Sequence, residues 1–180
     1  LLFIKVRLKA LENQKRNLEK LVKQRTEELA RLSITDPLTS LKNRRYLEEK
    51  IKEDISLIER AIYKPGQAPA RSSQTHYFLL GIFILDIDHF KKVNDLYGHK
   101  AGDTVIVEIA RLLHDMLRNS DTIVRWGGEE FLVITRQTEM DNSFEMAERI
   151  RKRIEEYTFK IDETIVLNKT VSIGFAHFPF

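Results

Sequence analysis

The chain contains no cysteine, and only four prolines and seven glycines occur among its 180 residues. The lack of cysteine excludes a disulfide framework, a thiolate metal site and a cysteine nucleophile. No apolar run reaches the roughly 20 residues that a membrane-spanning helix needs. Because 42% of the residues are hydrophobic, the chain can form one domain with a substantial core and an appendage.

Positive charge is concentrated in the first 35 residues. They hold nine Lys or Arg and four Glu, a net charge of +5, whereas the whole chain carries +3. The remaining residues therefore carry a net charge of about −2. Since binding to a nucleic-acid backbone needs clustered positive charge, we expect no nucleic-acid partner for the globular part.

Residues 1–35 lack Gly and Pro and are rich in helix formers. Apolar residues recur with alternating steps of three and four if Lys15 and Arg25 are counted in the same row. The apolar members are Leu8, Leu11, Leu18, Val22, Leu29 and Leu32. This heptad pattern predicts a parallel dimeric coiled coil. A single amphipathic helix packed on its own domain is the alternative.

Two local signals concern the ends of this helix. Asp36-Pro37 disfavours its continuation, so the helix is expected to end near Thr35. At its start, the apolar residues 1–4 are followed by Lys5 and Arg7, as at the cytoplasmic end of a membrane helix preceding residue 1. Four residues are too few to establish a tether, and the expected location is cytoplasmic with or without one.

The rest of the sequence alternates helical and strand patterns. We expect a helix over 44–61, a polar loop over 63–74, a buried strand over 78–85, a short helix over 89–97, helices over 104–117 and 144–157, and strands over 163–167 and 169–177 joined by a turn at Asn168. Asp103 is a candidate N-cap for the helix that follows it. The inner face of the 144–157 helix is expected to include Phe144.

Two acidic clusters indicate a site. Asp86 and Asp88 follow a buried strand and are expected on one face of it, with Ile87 on the other. Glu129 and Glu130 follow Gly127-Gly128, which predict a two-residue hairpin turn with positive φ. Adjacent carboxylates repel and are costly near a core, so a cation such as Mg²⁺ held with substrate phosphates is expected to meet them.

These motifs resemble, in order, the GGDEF family of diguanylate cyclases. The resemblance covers residues 36–180. The matching segments are Asp36-Pro37-Leu38-Thr39, Leu41, Asn43-Arg44-Arg45, Asp86-Ile87-Asp88, Phe90-Lys91, Asn94-Asp95, Gly98-His99, Gly102-Asp103, Arg125-Trp126-Gly127-Gly128-Glu129-Glu130-Phe131 and Ser172-Ile173-Gly174. The resemblance implies an α/β (α+β) fold with a mostly antiparallel central sheet flanked by helices, similar to adenylyl cyclases and polymerase palms. The implied domains are a coiled-coil helix over 1–35 and the catalytic domain over 36–180.

The resemblance also implies a reaction and its residues. Two GTP molecules, one in each protomer of a dimer, would condense to cyclic di-GMP and two pyrophosphates. The implied roles are Mg²⁺ (or Mn²⁺) ligation by Asp86, the Ile87 carbonyl, Glu129 and Glu130; catalysis at Gly127, Gly128, Glu129 and Glu130; guanine recognition by Asn94 and Asp103; and phosphate binding by Lys91 and the N–H groups of His89 and Phe90. Glu129 is the candidate for assisting deprotonation of the attacking 3′-hydroxyl.

A second site is implied by Arg118 and Asp121. They occupy the positions of the family's product-inhibition motif, in which Arg and Asp bind cyclic di-GMP. A salt bridge at a helix end is the structural alternative. An upstream sensor domain would act through the coiled coil.

Two departures from the family pattern bear on activity. Ser40 stands where the family usually has Gly, and the chain stops before the segment in which the family carries its last helix and further cationic phosphate contacts. An alternative function is therefore a catalytically inactive cyclic di-GMP receptor or dimerisation module, which would keep Arg118 and Asp121 in use.

Overall fold

The computed structural model describes residues 2–62, 80–136 and 140–178. The chain divides into two compact units, residues 1–33 and residues 34–180. The expected polar loop over 63–74 lies outside the described residues.

The first unit is one helix, α1 (Leu2–Leu32). Its uninterrupted length follows from the absence of Gly and Pro, and its end agrees with the prediction from Asp36-Pro37. Four residues of the predicted heptad row, Leu11, Leu18, Val22 and Leu29, are exposed. The side chains of Leu8 and Leu32 lie outside the description. No helix in the described part of the chain combines the length and apolarity needed to cross a membrane.

In the described residues of the second unit there are four helices and seven strands. In chain order they are β1 (Lys42–Asn43), α2 (Arg44–Ile62), β2 (Leu80–Ile87), α3 (Phe90–Tyr97), α4 (His99–Met116), β3 (Thr122–Arg125), β4 (Glu130–Arg136), α5 (Met140–Glu155), β5 (Thr158–Lys160), β6 (Val166–Asn168) and β7 (Val171–Phe178).

Five strands form the central sheet, in the order β1-β3-β4-β2-β7. Only the short pairing of β1 with β3 is parallel, and the other three pairings are antiparallel. The expected mostly antiparallel sheet is therefore confirmed. The apolar run of β2 lies between β4 and β7, which explains why it reads as a nearly continuous hydrophobic segment.

The larger core lies between one face of the sheet and the helices α4 and α5. Its fully buried residues include Phe83 and Leu85 of β2, Ile109 of α4 and Ile150 of α5. A smaller cluster on the opposite face is built around Leu47 of α2 and the strands next to it. These two layers hold the ends of β2 and β4 in place.

Three local predictions are wrong. Helix α4 begins at His99, directly after Gly98 at φ 82°, so Asp103 is its fifth residue and not its N-cap. The left-handed turn at Gly98 starts the helix without a side-chain cap. Phe144 is 66% exposed and does not face the core.

The third wrong prediction concerns the C-terminal strands, which do not form a hairpin around Asn168. Strand β6 pairs with β5 in a separate two-stranded sheet, whereas β7 joins the central sheet beside β2. The local sequence pattern predicts where a strand lies but not which strand it pairs with. It therefore does not predict the pairing of β7 with β2, which are far apart in the chain.

Candidate active site at the end of the central sheet

The two acidic clusters meet where β2 ends and β4 begins. Asp86 lies directly opposite Glu130 in the antiparallel register, and Glu129 immediately precedes β4. Among the described residues, none donates a hydrogen bond to the carboxylates of Asp86, Glu129 or Glu130 or forms an ion pair with them. Opposed carboxylates without a partner repel each other, so this edge favours a cation.

The donor set fits Mg²⁺. No cluster of three or more acidic or His side chains able to hold a metal exists within the described ranges. Mg²⁺, however, is commonly held by one or two carboxylates together with substrate phosphates and water. Two side chains on adjacent strands and the Ile87 carbonyl at the end of β2 are therefore a suitable protein contribution, with the remaining ligands left to substrate.

Asp88 differs from Asp86 because its carboxylate is fully engaged. The hydroxyl of Thr170 donates to Asp88 Oδ2 at 2.6 Å, and the hydroxyl of Ser172 donates to Oδ1 at 2.7 Å. These two hydrogen bonds hold the pKa of Asp88 below its ordinary value. Asp88 therefore fixes the loop after β2 to the start of β7, and Asp86 is the carboxylate left for a ligand.

The loop after β2 turns sharply into α3. His89 adopts a left-handed conformation (φ 55°, ψ 33°) as the N-cap of this helix. The N–H groups of His89 and Phe90 belong to the helix start, where backbone donors lack intrahelical acceptors. Lys91 is exposed in the first turn. The predicted phosphate-binding groups, which we call the phosphate cradle, thus belong to one continuous segment, residues 89–91.

The connection from β3 to β4 corrects the predicted turn. Four residues, 126–129, separate the strands, and the N–H groups of Trp126 and Gly127 donate to the Glu130 carbonyl at 2.9 and 3.4 Å. Among the described glycines only Gly98 has positive φ, so Gly127 and Gly128 do not form a primed two-residue turn.

The reason for each glycine is instead spatial. A Cβ on Gly127 would lie 2.5 Å from Glu130 Oε2, so a side chain there would displace this carboxylate. A Cβ on Gly128 would meet no protein atom within 4 Å. Gly128 therefore leaves an open surface beside the acidic edge.

The two predicted guanine-reading residues lie on helices that pack against each other, Asn94 on α3 and Asp103 on α4. The side chain of Asn94 lies over Gly102, where a Cβ would collide with it and would also lie 2.9 Å from Phe90 Cζ. Asp103 follows Gly102 in α4 and is exposed. Gly102 thus lets Asn94 approach α4 next to Asp103, which is a role that the sequence alone did not assign.

A partly buried ion pair connects the end of β3 to the turn after α1. Arg125 Nη1 lies 3.1 Å from both carboxylate oxygens of Asp36, with the two side chains only 15% and 16% exposed. Arg125 also donates to the Gly128 carbonyl at 2.8 Å. Burial alone would raise the pKa of Asp36, but hydrogen bonds from Thr39 and the charge of Arg125 bring it below its ordinary value.

A separate cavity lies at the other end of β4. It has a volume of about 400 Å³ and is lined by Arg118, Asp121, Arg136 and Arg149 among others. The Arg118 N–H donates to Asp121 Oδ2 at 3.0 Å, which closes a tight turn and leaves the guanidinium group of Arg118 exposed. Six residue steps along β4 place this cavity about 20 Å from the acidic edge.

The model of the family "Diguanylate cyclase, GGDEF domain" matches residues 33–180. The chain belongs to the GGDEF family of diguanylate cyclases. Diguanylate cyclase A of Treponema denticola is 37% identical over 153 residues, which are 85% of this chain and 38% of that protein. The chain spans 32–38% of the length of this and the next two curated relatives it matches.

Solved GGDEF structures share the fold. The diguanylate cyclase SiaD of Pseudomonas aeruginosa, in complex with its activator SiaC, superposes with a TM-score of 0.66 at 34% identity and covers 95% of this chain and 60% of its own. The coiled coil and GGDEF domain of DgcB from Caulobacter crescentus, in complex with c-di-GMP, gives 0.67 at 26% identity, with coverage of 93% and 80%.

The departure from the GGDEF pattern at Ser40 has a structural explanation. Ser40 adopts φ 61°, and its N–H donates to the Asp36 carbonyl at 2.9 Å. A glycine takes this left-handed conformation without the steric conflict that a Cβ introduces. Ser40 keeps the turn but adds backbone strain to it. It makes no contact with the carboxylates of the acidic edge.

Sequence reasoning missed two cations of this GGDEF domain. Arg149 of α5 lines the cavity with Arg118 and Asp121, which lie 31 and 28 residues earlier in the chain. A local sequence pattern does not predict contacts over that separation. Lys169, just before β7, donates to the carbonyl of Asp88. Neither residue belongs to a motif identified in the sequence.

Proposed function

We propose that this chain is a Mg²⁺-dependent diguanylate cyclase that condenses two GTP molecules to cyclic di-GMP and two pyrophosphates. The observation that carries the proposal is the pairing of Asp86 with Glu130 at the edge of the sheet, beside Glu129 and the open surface at Gly128. Membership in the GGDEF family and the 37% identical diguanylate cyclase A support it.

The acidic edge would hold the metal. Asp86, the Ile87 carbonyl and Glu129 are the proposed ligands, and Glu130 is a further candidate. Mg²⁺ or Mn²⁺ bound there would neutralise phosphate charge and lower the pKa of the attacking 3′-hydroxyl. Glu129 is the proposed acceptor of the proton from that hydroxyl.

Recognition of GTP would use residues of α3 and α4. At the start of α3, the N–H groups of His89 and Phe90, with the Lys91 ammonium, would donate to phosphate oxygens. Asn94 and Asp103 would read guanine, because a carboxylate can accept from N1–H and the 2-amino group while an amide can satisfy O6 or N3. The contact of Asn94 with Gly102, the residue before Asp103, supports this assignment.

The reaction requires two protomers. The 3′-hydroxyl of one GTP attacks the α-phosphorus of the other, in line with the departing pyrophosphate, and each domain offers one such nucleotide site. The exposed apolar row of α1 is the proposed dimer contact, through which an upstream sensor would set the geometry. The DgcB structure, which comprises a coiled coil and a GGDEF domain, supports this arrangement.

The cavity at the far end of β4 is the proposed inhibitory site. Arg118 and Arg149 can bind phosphate or a guanine edge in bidentate fashion, and Asp121 can accept from guanine. Its distance from the acidic edge lets product bind without occupying the substrate site.

Incubation of the purified chain with GTP and Mg²⁺, followed by chromatography of the nucleotides, tests the proposal. We expect cyclic di-GMP at a specific rate that rises with protein concentration. Replacing both Glu129 and Glu130 by Ala is expected to lower this rate at least about 100-fold, because the metal and the proton acceptor are lost together.

Binding of added cyclic di-GMP provides the control. The double variant should bind it as the unaltered chain does, because the cavity lies at the other end of β4. Full activity of the variant would refute the assigned site. No product from the unaltered chain together with tight cyclic di-GMP binding would favour the receptor function instead.

A further inference from the structure

The loop that leads from β2 into α3 receives a cation from outside the GGDEF motifs. Lys169, in the connection between β6 and β7, reaches back to this loop, and its Nζ donates to the backbone carbonyl of Asp88. The side chain is partly buried. A partly buried ammonium group whose hydrogen bond goes to a carbonyl oxygen imposes a defined direction on that peptide unit.

The peptide unit concerned is the one that joins Asp88 to His89. In a trans peptide the carbonyl and the N–H group point in opposite directions within one plane. With the carbonyl of Asp88 held by Lys169, the N–H of His89 points away from Lys169. This N–H is the first donor of the proposed phosphate cradle.

Neighbouring contacts hold the same loop without fixing this peptide. Thr170 and Ser172 bind the Asp88 carboxylate, and the Asp88 N–H donates to the Thr170 carbonyl at 3.0 Å. These contacts determine where Asp88 lies. The contact from Lys169 determines how the following peptide is rotated, at the point where His89 takes its left-handed conformation.

A cation on the carbonyl also changes the donor strength of the N–H. Hydrogen bonds in a chain polarise one another, so an ammonium group bound to the oxygen of an amide makes its N–H a better donor. The effect is largest when the acceptor is an anion such as phosphate.

We propose that Lys169 is a positioning residue for GTP, which orients and polarises the Asp88–His89 peptide so that the His89 N–H binds a phosphate oxygen. The inference rests on the proposed function, since it assigns the ligand of the cradle as the triphosphate. It adds a residue outside the recognised motifs, and its effect is directed at the phosphates rather than at guanine.

The test compares Lys169→Met with the unaltered chain and with Lys160→Met, a change on the exposed part of β5. Dissociation constants for GTP, GDP and guanosine are measured with Mg²⁺ by calorimetry, with 3′-deoxy-GTP standing for GTP because it lacks the attacking hydroxyl and is not consumed. We expect Lys169→Met to weaken binding of GTP and GDP about three- to tenfold and to leave guanosine unaffected. Lys169→Arg, which keeps a cationic donor, should recover most of the affinity, and Lys160→Met should change none of these constants.

A second readout uses the nucleotide-free protein. In ¹⁵N-labelled samples the His89 amide resonance should shift in Lys169→Met and exchange faster with solvent, because its peptide is no longer held. Thermal unfolding of the variants should occur within a few degrees of the unaltered chain, which separates a positioning effect from loss of fold.

The outcomes are distinguishable. Failure of the unaltered chain to bind GTP would contradict the proposed function itself. Normal GTP binding that Lys169→Met leaves unchanged, or that weakens equally for guanosine, would overturn the role of Lys169 alone. Weaker GTP binding with an unshifted His89 amide would also overturn it, because Lys169 would then act by direct contact with phosphate.

Discussion

At the scale of single residues, the turn that follows α1 combines strain with a strong anchor. Ser40 adopts a strained left-handed backbone conformation, while Asp36 in the same turn binds Thr39 and Arg125. The turn therefore persists because its contacts outweigh the strain of one residue.

Replacing Ser40 by Gly should stabilise the domain. The left-handed conformation disfavours a residue with a Cβ by about 1–2 kcal/mol, and the larger backbone entropy of Gly in the unfolded chain offsets part of this. We expect a free energy of unfolding higher by about 0.5–1 kcal/mol in urea denaturation. Ser56→Gly, the same change inside α2, should lower it by a similar amount, and a decrease for Ser40→Gly would contradict the strain argument.

The stabilisation from Asp36 should depend on pH. The folded pKa of Asp36 lies below its unfolded value near 3.8, so the contribution is complete above the unfolded pKa and is lost as pH falls through the folded pKa. Asp36→Asn should lower the free energy of unfolding by about 1–3 kcal/mol at pH 7, because Arg125 loses its ionic partner in a partly buried position.

Urea denaturation of Asp36→Asn and of the unaltered chain between pH 7 and pH 2.5 checks this. The difference between them should shrink only below pH 4. Asp95→Asn, a change at an exposed position of α3, should leave a small and constant difference. A pH-independent gap for Asp36→Asn would show that charge is not the source of its effect.

At the scale of elements, the packing of α3 on α4 depends on Gly102. A Cβ at this position would collide with Asn94 and Phe90, so Gly102→Ala should move the Asn94 amide away from Asp103. We expect the KM for GTP to rise about tenfold or more with a smaller change in kcat, since recognition of guanine is lost before chemistry. Steady-state kinetics at saturating Mg²⁺ measure both constants.

Gly174→Ala is the matched control for this change. The added Cβ in β7 would lie 3.6 Å from Ile84 Cγ2, an ordinary van der Waals contact. It should leave the KM for GTP unaltered. An equal rise in KM for both variants would show that glycine replacement acts through general stability and not through Asn94.

The same elements show what sequence could predict. The sequence predicts Asp86 and Glu130 as site residues because each signal is local. Carboxylates are unusual at the end of an apolar strand and directly after a Gly-Gly pair, and both patterns span only a few residues. The start of α4 was misplaced because Asp103 has the chemistry of a cap, whereas the backbone turns at Gly98 instead. The sequence does not reveal Arg149 and Lys169, because Arg149 is 31 and 28 residues from Arg118 and Asp121, and Lys169 is 81 residues from Asp88.

At the scale of the whole molecule, catalysis is expected to follow the association of α1. Leu18→Glu together with Val22→Glu would place charge in the apolar heptad row and should convert the chain to a monomer. The specific rate of cyclic di-GMP synthesis at low micromolar protein should then fall at least about tenfold, because two GTP-loaded domains meet only by diffusion.

Light scattering and the nucleotide assay measure these two effects. Asn17→Glu together with Gln24→Glu, at heptad positions away from the row, should keep both the dimer and the rate. GTP affinity should remain unchanged in both double variants, since each domain binds its nucleotide alone. A monomer with undiminished specific rate would contradict dimer-dependent chemistry.

The two ends of strand β4 lie at two different proposed sites, and this arrangement affects how the activities of such a protein can change during evolution. Its first residue, Glu130, lies at the proposed substrate site and its last, Arg136, lines the proposed product cavity, while residues 131–135 between them are buried in the core. Substitutions in the buried middle would disturb catalysis and feedback together. A change at Glu130 would therefore remove the proposed catalysis and leave the proposed product cavity, and a change at Arg136 would alter the cavity and leave the acidic edge, so selection can act on each end of the strand separately.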